Sequence, residues 1–146
     1  MNNLVIIDFK VKDIDQILEI EKESFSNHWS KQMFLSECEN KFSHFKICIS
    51  DNLIIGFIIY RIVLEEAEIL NIVIGHKFRG KSFGKQLLNY AVNDIKEHKV
   101  KNIFLEVNER NIIAQNLYKN GGFVKYSTRQ NYYGDDNAVL MKLSLC

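Results

Sequence analysis

Ile69-Leu-Asn-Ile-Val-Ile74, then Gly75-His-Lys-Phe-Arg-Gly-Lys-Ser-Phe-Gly84, then Lys85-Gln-Leu-Leu88 is the stretch on which the fold turns. A β-branched apolar run enters a basic, glycine-bearing turn, and a helix-like run leaves it. N–H groups at a helix start have no partner inside the helix and point at whatever sits there. The positive end of the helix dipole lies at the same place, beside the cations Arg79, Lys81 and Lys85. Such a turn attracts a phosphate or pyrophosphate.

Two patterns fit this turn. Gly75 to Ser82 reads G-x-x-x-x-G-K-[ST], the phosphate loop of nucleotide triphosphatases. Position argues against it: about half the chain precedes the turn, whereas that loop normally follows a first strand. The next apolar strand, Asn102 to Val107, carries Glu106 and no terminal aspartate to hold magnesium. The second pattern starts at Arg79. Arg-Gly-Lys-Ser-Phe-Gly resembles the [Q/R]-x-x-G-x-[G/A] turn that holds the coenzyme A pyrophosphate in the GNAT superfamily of N-acetyltransferases, with Ser82 in place of the middle glycine. Downstream, Asn111-Ile-Ile-Ala-Gln-Asn-Leu-Tyr118-Lys-Asn-Gly-Gly-Phe123 resembles that superfamily's N-x-x-A-x-x-L-Y-x-x-x-G-F.

Working outward, Leu4 to Phe9 reads as a first strand. A helix from Asp13 shows Ile14, Ile17 and Leu18 on its apolar face, with Glu19, Glu21 and Lys22 expected outward. Ser30 is a candidate N-cap for a second helix carrying Met33, Phe34 and Cys38. Phe45 to Ser50 and Leu53 to Leu64 form a hairpin around Asp51-Asn52, and Ala67 to Ile74 is the next strand. A helix over about Ser82–Lys99 places Phe83, Leu87, Leu88, Ala91 and Ile95 together. The strand Asn102 to Val107 and a helix from Ile112 to Asn120 follow, the latter stopped by Gly121-Gly122. Two last strands, near Phe123–Thr128 and Ala138–Leu145, flank a polar loop. The order β-α-α-β-β-β-α-β-α-β-β predicts an α/β fold, a mixed sheet carrying helices, as one domain over 1–146. The same order belongs to the acetyltransferase fold. The resemblance implies splayed central strands, with the pantetheine arm of acetyl-CoA pairing along the free edge of Asn71 to Ile74.

Composition bounds the function. The chain has 146 residues, 47% of them apolar, which suits a globular domain with a real core. A net charge of +1 argues against nucleic-acid or membrane-surface binding. No apolar run approaches a membrane span and the Met1-Asn-Asn-Leu-Val start lacks a signal-peptide pattern, so a cytoplasmic protein is expected. Cys38, Cys48 and Cys146 imply no disulfide framework, and Cys48 reads as a small core residue, with a catalytic thiol the weaker alternative. The histidines show no ligand spacing, so no metal is expected.

The resemblance narrows further. Phe25…Trp29-Ser30…Phe34, Val63-Leu64-Glu65-Glu66-Ala67 with Leu70-Asn71-Ile72, and Arg129-Gln-Asn-Tyr132-Tyr133 with Ala138-Val-Leu-Met141 are similar to segments of ribosomal-protein-alanine N-acetyltransferases. Departures are His28 for a usual proline and Asn137 for an aspartate. The resemblance implies acetyl transfer from acetyl-CoA to a protein N-terminal α-amine, alanine in a small-subunit ribosomal protein. It implies Glu106 as base and Tyr118 as acid. It implies cofactor contacts at Ile72, Val73, Ile74, Arg79, Gly80, Lys81, Ser82, Phe83, Gly84, Lys85 and Asn111, and substrate contacts at Trp29, Tyr132 and Tyr133.

The residues add their own arguments. Phe104, Leu105 and Val107 make the strand around Glu106 look buried, and a carboxylate there needs a reason. Asn111, Ala114 and Tyr118 share one helical stripe while Ile113 and Leu117 form another, suggesting a cofactor face and a core face. An α-amine titrates near ~7.7–8.0 and a lysine near ~10.4, a gap of about 3.5 kcal/mol that an α-amine enzyme need not supply. Lysine or small-molecule amines remain alternative acceptors, and a non-catalytic acyl-CoA-binding module is the alternative of another class.

Overall fold

The computed structural model describes residues 4–145; Met1-Asn-Asn and Cys146 lie outside the described residues. In chain order the elements are β1 (Leu4–Asp8), α1 (Ile14–Ser24), α2 (Lys31–Glu39), β2 (Ser43–Ser50), β3 (Leu53–Val63), β4 (Glu66–Ile74), α3 (Phe83–Glu97), β5 (Asn102–Asn108), α4 (Ile112–Asn120), β6 (Val124–Tyr133) and β7 (Asp136–Ser144). This is the expected order. The strands make one seven-stranded sheet, β1-β2-β3-β4-β5-β7-β6. Every pairing is antiparallel except β4 with β5. A triphosphatase fold, with its loop after a first strand and parallel strands beyond, is thereby set aside.

Local chemistry fixes the ends of these elements. Ser30 caps α2 as expected, its Oγ accepting from the Met33 N–H at 3.2 Å, and Asn111 Oδ1 caps α4 by accepting from Ala114 N–H at 3.1 Å. Each such cap is worth about 1 kcal/mol. Asp51 and Asn52 both take positive φ (51° and 65°), the geometry of a two-residue hairpin turn whose twist suits the strands. Gly122 (φ +97°) ends α4 where a side chain would be strained.

Two cores lie on opposite faces of the sheet. Ile14, Ile17 and Ile20 of α1 and Phe34 of α2 cover Phe45, Ile47, Phe57, Ile59 and Val73. Leu87, Leu88, Ala91 and Ile95 of α3 cover Ile55, Ile58, Ile69, Ile103 and Leu105, with Tyr118 of α4 at the margin of the same core. Strand β5 alternates strictly. Ile103, Leu105 and Val107 point to the α3 core, while Phe104, Glu106 and Asn108 face the other way and are half-buried. The expectation that Phe104 helps to bury Glu106 inside a core strand is therefore corrected to period-two alternation.

The sheet opens in its middle. β4 and β5 pair only from Glu66↔Asn102 to Ile69↔Leu105, whereas β4 stays paired to β3 as far as Ile74. The register with β3 skips from Ile69 to Asn71, so Leu70 is an extra, bulged residue at the point where the strands part. Bulges bend a strand and re-aim it. The edge Asn71–Ile74 has no strand on its β5 side, which is the expected splay.

Three expectations differ from the structure. Cys38 is exposed on α2 and contributes nothing to a core. Ile113 is 78% exposed while Tyr118 is buried, so of the expected core stripe of α4 only Leu117 packs against the α3 core and Ile113 does not. The polar loop near the C-terminus is mostly strand: β6 runs through Arg129–Tyr133 and turns at Gly134 (φ 72°). β6 is an edge strand exposed almost throughout, so it leaves no alternating pattern to read. Asn131 (φ 54°) supports the bulge there, its N–H donating to Asn137 Oδ1 at 2.9 Å.

Candidate active site

The parting of β4 and β5 leaves a groove of about 450 Å³ lined by Glu21, Trp29, Asn71, Ile72, Glu106, Asn111, Ala114, Tyr118 and Tyr133 among others. Six residues singled out from the sequence thus meet in one place: Trp29, Ile72, Glu106, Asn111, Tyr118 and Tyr133.

One wall is made of backbone. Along β4, Val73 sends its side chain into the α1 core and Ile74 packs toward the α3 core, so the strand offers the groove mainly its edge. The turn that follows is exposed from Arg79 to Ser82, with Gly80 at φ 78° and Ser82 at φ 67°, ψ 12°. Ser82 adopts the left-handed conformation that explains the glycine usual at this position, and its side chain does not cap α3. Phe83 is buried, so it can offer a ligand only its backbone. A Cβ on Gly84 would lie 3.7 Å from both Ile74 Cγ1 and Leu117 Cδ2, which places this residue between the end of β4 and α4. Of the three cations, Arg79 turns back: its Nε donates to the Ile74 carbonyl at 2.9 Å and its Nη2 to Ser24 Oγ at 2.8 Å. Arg79 thus braces the turn, and Lys81 and Lys85 are the exposed cations beside it. Exposed N–H groups, a helix start, two lysines and an open strand edge fit a ligand with a pyrophosphate and a thin amide-bearing arm.

The other wall is made of side chains. Glu106 is half-buried, its Oε1 paired with Arg129 Nη1 at 3.1 Å. The Arg129 guanidinium lies 4.9 Å from the Tyr132 ring centre, and Tyr132 meets Tyr133 edge-on at 4.9 Å. Tyr132 itself is exposed and stays outside the groove lining; interaction with the Glu106 carboxylate raises its phenol pKa. Burial raises Tyr133 to about 12, with the Glu106 charge adding to it. Burial raises Glu68 too, reinforced by the Glu106 charge. Tyr118 is 6% exposed, its ring 5.7 Å from Phe123, and burial pushes its phenol well above the ordinary value. The residue also lines the groove. Asn111 uses its Oδ1 as the α4 cap, so its side chain is already committed in part. Trp29 packs on Phe34 at 5.1 Å and closes the groove from the α1 side.

Glu21 was expected outward and is 1% exposed. Its Oε2 accepts from the Trp29 backbone N–H at 2.8 Å and its Oε1 from Asn71 Nδ2 at 2.9 Å. Burial raises its carboxyl pKa, partly offset by those two hydrogen bonds. The spacing held the signal: Ile14, Ile17 and Glu21 lie three and four residues apart, on one helical stripe. Cys48 is fully buried and its thiol is pushed up to about 12, the state of an inert core cysteine.

Comparison with known proteins agrees with this geometry. The model of the acetyltransferase (GNAT) family matches residues 14–123, and the chain belongs to that family. It is an N-acetyltransferase that uses acetyl-CoA. The ribosomal protein bS18-alanine N-acetyltransferase of Haemophilus influenzae is 35% identical over 142 residues, covering 94% of this chain and 96% of its own length. That of Haemophilus ducreyi is 33% identical over 139 residues, covering 92% and 95%. Among solved structures, the ribosomal-protein-alanine N-acetyltransferase of Escherichia coli superposes with a TM-score of 0.90 at 25% identity, over 99% of this chain and 96% of that one. Ard1 from Thermoplasma volcanium superposes with a TM-score of 0.91 at 26% identity, over 98% of each chain. Among the described residues no helix is long and apolar enough to cross a membrane.

Proposed function

We propose that the chain, acting as one catalytic domain in the cytoplasm, acetylates a protein N-terminus, the α-amine of the N-terminal alanine of ribosomal protein bS18. The observation that carries this reading is the single groove in which the free β4 edge, Glu106 and Tyr118 meet. The names of the bS18-alanine relatives, which match over nearly their whole length, supply the acceptor.

In this reading acetyl-CoA lies with its pyrophosphate on the backbone of Gly80 to Gly84, helped by Lys81 and Lys85, and its pantetheine arm along Asn71–Ile74. Its thioester then sits between Glu106 on β5 and Tyr118 on α4. Glu106, directly or through a water, takes a proton from the acceptor ammonium. The neutral amine attacks the thioester carbonyl, the C–S bond breaks as Tyr118 protonates the departing thiolate, and the second proton shed by the amide nitrogen restores the phenol through solvent. Burial raises the proton affinity of the phenol, and it acts the same way on a thiolate left in that groove. Trp29 and Tyr133 flank the path by which the acceptor enters.

The test is acetyl transfer to peptides with free N-terminal Ala, Ser, Met or Gly, against N-blocked peptides with an internal lysine. Transfer to the free-Ala peptide, with the N-blocked lysine peptide left unmodified, is expected. Preference for the lysine peptide would redirect the site to ε-amines, and binding of acetyl-CoA without turnover on any amine would make it a binding module.

A further inference from the structure

One buried carboxylate in the groove has no part in the proton transfers. Glu21 sits in the last turns of α1, 1% exposed. Burying an unneeded carboxylate costs stability that an apolar residue would not, so its partners are informative. One is the Trp29 backbone, on the acceptor side. The other is Asn71, two residues beyond the last β4–β5 pair and next to the Leu70 bulge. The same end of α1 holds the cofactor turn twice more: Glu23 Oε1 accepts from the His76 N–H at 3.0 Å, and Ser24 Oγ accepts from Arg79.

We infer that Glu21 is a positioning residue that couples the two substrate sites, holding the Trp29 segment in register with the β4 edge so that acetyl-CoA on that edge pre-forms the acceptor wall. The inference rests on the proposed placement of acetyl-CoA along Asn71–Ile74. It makes the hydrogen bonds, rather than the charge, the active element. Glutamine retains a carbonyl for the Trp29 N–H and, once the Asn71 amide turns over, an NH₂ for its oxygen.

Trp29 is the only tryptophan of the chain, so its fluorescence reports this segment without any acceptor. Acetyl-CoA titration of the wild type should change Trp29 emission. In Glu21→Ala, acetyl-CoA should still bind within a few-fold of wild type while that change is lost, and in Asn71→Ala the change should be lost even when acetyl-CoA is raised to saturation. With the N-terminal Ala peptide both variants should show a KM raised about 10-fold, the order of one ordinary buried hydrogen bond, at little change in kcat. Their double variant should be no worse than either single one, and Glu21→Gln should restore both readouts. Glu21→Ala with a wild-type emission change and wild-type peptide KM would overturn the inference, as would additive losses or Glu21→Gln behaving like Glu21→Ala. If no peptide is a substrate, the acceptor assignment fails by itself and the Trp29 titration still decides the coupling.

Discussion

The two walls of the groove are built from different materials. The wall proposed for the cofactor is one continuous run, β4 through the start of α3, and it presents backbone: a strand edge, a turn with positive φ at Gly80 and Ser82, a helix start. The wall proposed for the acceptor presents side chains from α1, the segment before α2, β5, α4 and the tip of β6. A backbone site depends on chain direction and on where residues are small, and it tolerates changes of charge. A side-chain site depends on each group separately. The lesson is that the first should bend under mutation and the second should break.

The largest effect is expected on the acceptor wall. Tyr118→Phe keeps the ring against Phe123 and removes only the proton. Steady-state kinetics should show kcat lowered about 10²–10⁴-fold, with the melting temperature within a degree or two of wild type. A variant that turns over normally would reduce Tyr118 to packing.

On the cofactor wall a steric change should outweigh a charge change. Alanine at Gly84 would make ordinary contacts, but valine drives a methyl group toward Ile74 or Leu117. Overpacking of about 1–3 kcal/mol is expected there, read by calorimetry as weaker acetyl-CoA binding. Lys81→Ala removes one exposed charge and should cost well under 1 kcal/mol. The reverse order would mean that charge, not backbone, holds the pyrophosphate. Ser82→Gly sharpens the same point: relief of a left-handed serine should stabilise the protein by about 0.5–1 kcal/mol in urea unfolding, with acetyl-CoA binding unimpaired.

Glu21 gives a pH-dependent signature of smaller size. Burial raises its carboxyl pKa in the folded state. Its contribution to stability is therefore fully present below the unfolded value and is lost as pH rises through the raised one. Glu21→Gln does not titrate, so wild-type stability should fall relative to the variant from about pH 4.5 upward. Parallel melting curves of both proteins between pH 4 and 7.5 check the sign.

The contrast between walls also explains what could be read in advance. The element order is legible in the sequence, and so is a strand–turn–helix suited to a phosphate, because glycines, cations and helix punctuation lie within twenty residues of one another; the parting of the strands at Asn71–Ile74 leaves no local pattern and is implied only by the resemblance. The acceptor wall was legible only in part. Glu106 and Tyr118 are assigned by resemblance to a motif, and the packing around them differs from what the residues suggest: Glu106 lies on the half-buried face of β5 away from the α3 core, and Ile113 is not on a core stripe. The role of Glu21 is hidden in the sequence because a glutamate on a helix is ordinarily solvated, while its partner Asn71 is 50 residues away and no local pattern joins them. Arg79 was counted among the phosphate's cations, yet its guanidinium is spent on Ile74 and Ser24, a contact that only the tertiary fold reveals.

The measurement that bears most directly on the account is the pH–rate profile of Glu106→Gln on an N-terminal Ala peptide. The substitution keeps the shape of the side chain and removes the base. The account predicts a sharp fall in rate at neutral pH and a partial recovery as pH rises through ~8, where the α-amine deprotonates in solution without help. Wild-type rates across the range would remove Glu106 from the chemistry. A sharp fall with no recovery below pH ~9 would contradict the α-amine assignment and point to an ε-amine, whose own deprotonation waits until ~10.4.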